Sequence, residues 1–125
     1  IKEKIVKNYS LANMGINDEE NEKIMQEIKR LQPNLSVLDL DKNNLSDKGA
    51  VILKKCLLTL NFPKLRQLSL QYNKIGQEGA LSIFELQKFL PSRFDILFHG
   101  NQIQSINEME DIRKKAALFQ GSKKT

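Results

Sequence analysis

The chain has 125 residues, 40% of them hydrophobic, with no tryptophan, one cysteine and a formal net charge of +5. That length suits one domain, and no apolar run approaches the ~18 residues a membrane span needs. The lone Cys56 excludes an internal disulfide and fits a reducing compartment, and no basic-then-apolar leader is visible behind Ile1, whose place at the start leaves a longer parent protein open.

In chain order, a degenerate motif comes first: Val6, Tyr9, Leu11, Met14 and Ile16. Asn17 followed by Glu20 has capping-box spacing and predicts a helix start. Ile24, Ile28 and Leu31 recur at helical spacing behind it, and Pro33 ends the run. Leu35, Leu38, Leu40, Asn43 and Leu45 then spell a full L-x-x-L-x-L-x-x-N-x-L string. Within it, Val37–Asp41 alternates and predicts a short strand. Ser46 and Asp47 propose the next helix start, followed by Leu53, Leu57 and Leu60 and a stop at Pro63. The full string returns at Leu65, Leu68, Leu70, Asn73 and Ile75, with a strand predicted over Gln67–Gln71. A third helix, less well capped at Gly76-Gln77-Glu78-Gly79, runs through Ile83, Leu86 and Leu90 to Pro91. A last, weaker copy has Ile96, Phe98, Asn101 and Ile103. Ser105 and Glu108 mark the start of a fourth helix, with Met109, Ile112, Ala116 and Phe119 on its apolar stripe.

The equivalent positions Tyr9, Leu38, Leu68 and Ile96 are 29, 30 and 28 residues apart. A fixed period of this length predicts a stacked solenoid. Strand–helix units running in one direction force a parallel sheet. The pattern resembles leucine-rich repeats of the ribonuclease-inhibitor type, which carry a full helix in each long repeat and a glycine after the motif. Gly49 and Gly79 stand at that glycine; Glu20 and Asn107 take its place in the outer copies. The resemblance covers roughly Val6 to Phe119. It implies an α/β leucine-rich-repeat solenoid of about four strand–helix repeats, with the sheet on the concave face and the helices on the convex face. The expected division is a repeat domain over residues 1–119 and a basic tail over 120–125.

Asn43, Asn73 and Asn101 are read as a structural asparagine ladder. Stacked repeats bury turn backbone with no ladder partner, and a primary amide both donates and accepts. Met14 breaks the column in the first copy.

In strands of this kind the residues flanking the buried pair face the concave side. They are Asn8, Ser10 and Ala12; Val37, Asp39 and Asp41; Gln67, Ser69 and Gln71; Asp95, Leu97 and His99. Lys42 and Tyr72 sit just beyond. The set is polar and acidic, with no lysine or arginine in the strands, and an aromatic beside carboxylates is a suitable anchor for a protein partner. The plainer reading is ordinary solvated surface. Lys54 and Lys88 fall on the convex helices and serve as contrast positions.

Asp39 and Asp41 invite an acid–base reading, but the spacing implies no pocket, so no catalytic residue is assigned and no enzyme is expected. One histidine and one cysteine do not make a metal site. Gly76–Gly79 holds an acid where a bound anion would sit, so no cofactor is expected either. Cys56 reads as a small apolar residue on a helix.

After Asp111 the chain has no acid but has Arg113, Lys114, Lys115, Lys123 and Lys124, so residues 1–111 sum to zero charge. A nucleic-acid-binding body carries a basic stripe; this one does not. The leading expectation is a non-catalytic module that docks another protein, with a basic or polar surface, on its concave face. The ribonuclease-inhibitor resemblance sharpens this to covering an enzyme's active site. The style is also similar to leucine-rich-repeat effectors of intracellular bacterial pathogens, which implies a cytoplasmic protein delivered into a host cell by a dedicated secretion system, the acids Glu108, Glu110 and Asp111 being reminiscent of some secretion signals. The alternatives are nucleic-acid or acidic-membrane binding through the basic C-terminus, and a scaffold or ubiquitin-ligase substrate-recognition fragment.

Overall fold

The computed structural model describes residues 8–32, 34–89, 94–103 and 105–118. Val6, Pro33, Leu90, Pro91, Phe119 and the basic tail lie outside them. The order of elements is β1 (Asn8–Ser10), α1 (Asp18–Leu31), β2 (Val37–Asp39), α2 (Asp47–Leu60), β3 (Gln67–Ser69), α3 (Gln77–Glu85), a 3-10 turn (Leu86–Lys88), β4 (Asp95–Leu97) and α4 (Ile106–Leu118). The strands form one four-stranded sheet in the order β1-β2-β3-β4. All three pairings are parallel, and Tyr9, Leu38, Leu68 and Ile96 stand in register. The sequence period is therefore the sheet register, and the expected α/β solenoid is what forms.

The core is a set of columns running through the stack. Leu38, Leu68 and Ile96 make one, Leu40, Leu70 and Phe98 a second, and Leu35, Leu65 and Phe94 a third, all buried. Met25 and Ile28 of α1, Leu53, Cys56 and Leu57 of α2, Ile83 and Phe84 of α3, and Ile112 and Ala116 of α4 close the other side. Each helix packs on the next in chain order, α1 on α2, α2 on α3 and α3 on α4.

The asparagine ladder spans each turn. Asn43 Oδ1 accepts from the N–H groups of Met14 (3.1 Å) and Ile16 (2.9 Å), while its Nδ2 donates to the carbonyls of Leu11 and Leu40, both at 3.0 Å. Asn73 accepts from Leu45 N–H at 3.1 Å and donates to the Leu40 and Leu70 carbonyls. Asn101 accepts from Ile75 N–H at 3.0 Å and donates to the Leu70 and Phe98 carbonyls. Each amide thus bonds backbone of its own repeat and the one before it, where buried peptide groups would otherwise be unpaired. Met14, 64% exposed, makes no such column.

A second column of inter-repeat bonds joins the helix starts. Asp18, the first residue of α1, accepts from Ser46 N–H (2.9 Å) and from the Ser46 hydroxyl (2.5 Å). Asp47, the first residue of α2, accepts from Gly76 N–H (2.7 Å) and Gly79 N–H (2.9 Å). In α3 the same position is Gln77, whose amide donates to Glu108. Helix N-termini leave N–H groups unpaired and favour anions, so each aspartate caps the helix that follows its own. This is the reason for the repeat glycines. A Cβ on Gly79 would stand 2.6 Å from Asp47 Oδ1 and 2.9 Å from its backbone Cα, and one on Gly49 would overlap Asp18.

Five expectations change. The buried stripe of α1 is Asn21, Met25 and Ile28; Leu31 is 51% exposed, and Ile24 is only half-buried. The third helix ends at Glu85, with Leu86 in the 3-10 turn. Strands β2 and β3 stop at Asp39 and Ser69, two residues short, because the chain turns into the asparagine bend. Ser46 is the N-cap of α2 but makes no cap bond to its own helix, since Asp18 takes its hydroxyl. Glu108, not Asn107, stands three residues past the N-cap as Gly49 and Gly79 do, because the last turn is one residue longer before α4. The Asn17–Glu20 capping box forms in full.

Candidate functional site

The concave residues fall into rows set by the sheet register. Asn8, Val37, Gln67 and Asp95 make one row of backbone partners; Ser10, Asp39, Ser69 and Leu97 make the next. Beyond the strand ends the pairing continues, Leu11 N–H to Asp39 O, Lys42 N–H to Gln71 O and Tyr72 N–H to His99 O, which brings Asp41, Gln71 and His99 into line. The predicted residues of β2, β3 and β4 are thus brought together on one face.

Their exposure is uneven. Ser10, Asp95, Leu97 and His99 are exposed; Val37, Asp39, Asp41, Gln67 and Gln71 are half-buried. Ser69 is 4% exposed and is not a surface contact. Its hydroxyl donates to Asp41 Oδ1 at 2.6 Å beneath the neighbouring side chains. Alternation tells which face a residue takes, not how deep it lies there.

The two aspartates are held in place. Asp41 Oδ1 also accepts from Gln71 N–H at 2.7 Å, and its Oδ2 accepts from the Gln71 amide at 3.3 Å. Asp39 Oδ1 accepts from Asp41 N–H at 3.0 Å, and Oδ2 accepts from the Ser10 hydroxyl at 3.1 Å. All these donors are neutral. Among the described residues the ion pairs are Glu27–Arg30, Glu19–Lys48 and Glu85–Lys54, none of them on this face. Among the described residues, the negative charge of Asp39 and Asp41 is therefore oriented but not paired with a cation.

Asn13, Lys42, Tyr72 and Gly100 form a column of left-handed residues just before the asparagine bend, with φ of 58°, 57°, 59° and 82°. Three of the four are not glycine, and such backbone is strained for a lysine or tyrosine. At the end of the column the Tyr72 ring lies over Gly100, where a Cβ would meet its Cε1 at 2.6 Å. It also meets His99 edge-on, with centroids 5.5 Å apart. Tyr72 is 49% exposed and Leu97 39%. Sequence spacing placed Tyr72 at the rim; that Gly100 makes room for its ring had no local signal.

The face is not a cavity. An apolar groove of about 620 Å³ lies elsewhere, at the N-terminal edge, between Leu11 and Met14 on one side and Ile24 and Leu31 of α1 on the other. No three metal-ligating side chains converge among the described residues. Cys56 is buried, and that burial pushes its thiol above the ordinary range, away from nucleophilic use. Lys54, taken as a solvent-facing contrast position, is instead a half-buried partner of Glu85 at 2.5 Å. Exposed Lys55 fills that role better.

A family model described as Leucine Rich repeat matches residues 32–53 and 63–84. The fold is a leucine-rich-repeat solenoid. Both matched segments run from the end of one helix, through the strand and asparagine bend, into the next helix. Among solved structures the solenoid is similar to leiomodin-1 actin-binding site 2, at 19% identity and a TM-score of 0.70. The match covers 87% of this chain and 62% of that one, so the solenoid spans under two thirds of it. Identity at this level bears on the fold alone. No curated protein matches the chain significantly.

Proposed function

We propose that the solenoid is a non-catalytic module that docks another protein on its concave face. The observation that carries this is the concave arrangement itself: two oriented aspartates with no cation paired to them among the described residues, beside an exposed Tyr72–His99 pair and Leu97. Buried rings dominate interface energies, and unneutralised acids steer a partner of opposite charge. The leiomodin-1 segment is named for binding actin, and that name supports a protein as the class of partner. It does not carry actin over to this chain.

The sharper version is occlusion of an enzyme's active site. Helices of 14 residues in the first two repeats and the long period support the ribonuclease-inhibitor subtype, whose known members include direct inhibitors. Action in a reducing cytosol, as a bacterial effector in a host cell, belongs to the same proposal; the single free thiol of Cys56 supports the reducing compartment alone.

The test is capture from cell lysate with three baits: the parent, Leu97→Arg on the β4 side of the concave face, and Lys55→Glu on the convex helix. A partner retained by the parent and Lys55→Glu but lost by Leu97→Arg supports the reading. Loss with Lys55→Glu alone moves the working surface to the convex side.

A further inference from the structure

The concave face differs from end to end. Its β2 side holds Asp39 and Asp41, each clamped by neutral donors. Its β4 side holds exposed Leu97 and the Tyr72–His99 pair. Two strand spacings separate β2 from β4, about 10 Å. We infer that this face takes a protein segment presenting a cationic side chain and an apolar or aromatic one about 10 Å apart, the cation over Asp39 and Asp41 and the ring or aliphatic group against Tyr72 and Leu97.

This rests on the reading that the concave face is the docking surface. Charge complementarity supplies the first half. The carboxylates are already oriented, so a partner cation meets them without the ordering cost of a free side chain. A neutral polar group would leave two charges desolvated without compensation. Pre-organisation supplies the second half. Tyr72 stands on left-handed backbone with its ring lodged over Gly100, so little rotamer freedom is lost when a partner covers it. The two halves lie on different strands, so a segment offering only one of them leaves the other face of the site wet.

Display of random peptides against the immobilised full chain tests this directly. Enriched peptides should carry Lys or Arg together with an aromatic or aliphatic residue at one recurrent separation. Affinity of the enriched peptides should fall about fivefold or more for Asp39→Asn, and similarly for Tyr72→Asn, in which asparagine keeps the left-handed backbone. Raising salt should weaken peptide binding to the unmodified chain, a readout that needs no variant. Circular dichroism melts establish that each variant is folded. Enriched peptides without a basic residue, or binding indifferent to both salt and Asp39→Asn, overturn the inference. Loss on Leu97→Arg with indifference to Asp39→Asn and Tyr72→Asn also overturns it while leaving the concave reading standing. Binding that survives Leu97→Arg but is lost with Val51→Arg on the convex helix defeats the concave reading itself.

Discussion

Replacing a helical glycine with alanine ordinarily stabilises a helix, by up to about 1 kcal/mol. At Gly49 the opposite sign is expected. The new Cβ would overlap Asp18 Oδ1 and lie 3.0 Å from its Cγ, so the carboxylate must leave. Leaving gives up its bonds to the Ser46 N–H and hydroxyl. Hydrogen bonds to a charged group contribute roughly 1.5–3 kcal/mol. Set against the helix gain, Gly49→Ala should lower stability by about 1–2 kcal/mol. Asp18→Ala alone should cost about 1.5–3 kcal/mol. In that background the overlap with the carboxylate is gone, and what is left is a tight contact with a Leu45 methyl at 3.2 Å, which must give by a few tenths of an ångström. Gly49→Ala should then be neutral or stabilising, by up to about 1 kcal/mol. The double-mutant cycle, measured by urea unfolding, should therefore show a coupling of about 1–3 kcal/mol. If Gly49→Ala changes stability equally with and without Asp18, the glycine is not there to admit the aspartate, and the account of the helix-start column is wrong.

Asn43→Ala and Asn73→Ala should each cost about 1–3 kcal/mol through unpaired turn backbone, and Leu40→Ala or Leu70→Ala about 2–5 kcal/mol through cavities; thermal melts that match the parent would refute the ladder. With a partner in hand, calorimetry should find Tyr72→Asn weakening the complex by about 1–3 kcal/mol and Lys55→Ala changing it by less than about 0.5. Asp39→Asn with Asp41→Asn should abolish no esterase, phosphatase or peptidase turnover, none being expected of the parent; turnover lost with that pair would place chemistry on the concave face. Burial raises the Cys56 thiol, favouring its protonated form in the fold. At pH 8 a disulfide reagent should modify native protein at least about tenfold more slowly than urea-unfolded protein, because the thiolate is the attacking species; equal rates would contradict the burial.

What could be read from the sequence was periodic or local. Leu38 and Leu40, with Leu68 and Leu70, mark the strands because alternation needs only neighbours. Asn17 and Glu20 form the predicted capping box because both partners lie within one turn. The asparagines were legible because they recur in a fixed frame. The aspartate column was not. Asp18 and Asp47 at helix starts already have a local rationale in the helix dipole, and their true acceptor role is seen only when the next repeat is set beside them, 28 or more residues on. The burial of Ser69 is hidden for the same reason: Asp41, which accepts its hydroxyl, lies just past the end of the adjacent strand. Lys54 looked solvated because its partner Glu85 is 31 residues away. Likewise, Tyr72 was expected at the rim, but the hollow that seats its ring comes from Gly100 of the following repeat.

Because the described helices pack chiefly on their sequence neighbours, the solenoid behaves as a one-dimensional chain of coupled units, and a repeat flanked on one side in the described sheet is expected to open more readily than one flanked on both. The fourth repeat bears the short α3–α4 contact and ends the sheet, whereas the second is flanked on both sides. Opening of the fourth repeat would carry away Leu97 and His99 and free the Tyr72 ring from Gly100, while leaving Asp39 and Asp41 in place. Recognition would then be tied to fraying: a partner seated across β2 to β4 stitches the last repeat to the second. Bound protein should protect the amides of α4, far from any atom the partner touches, from hydrogen exchange more than those of α2.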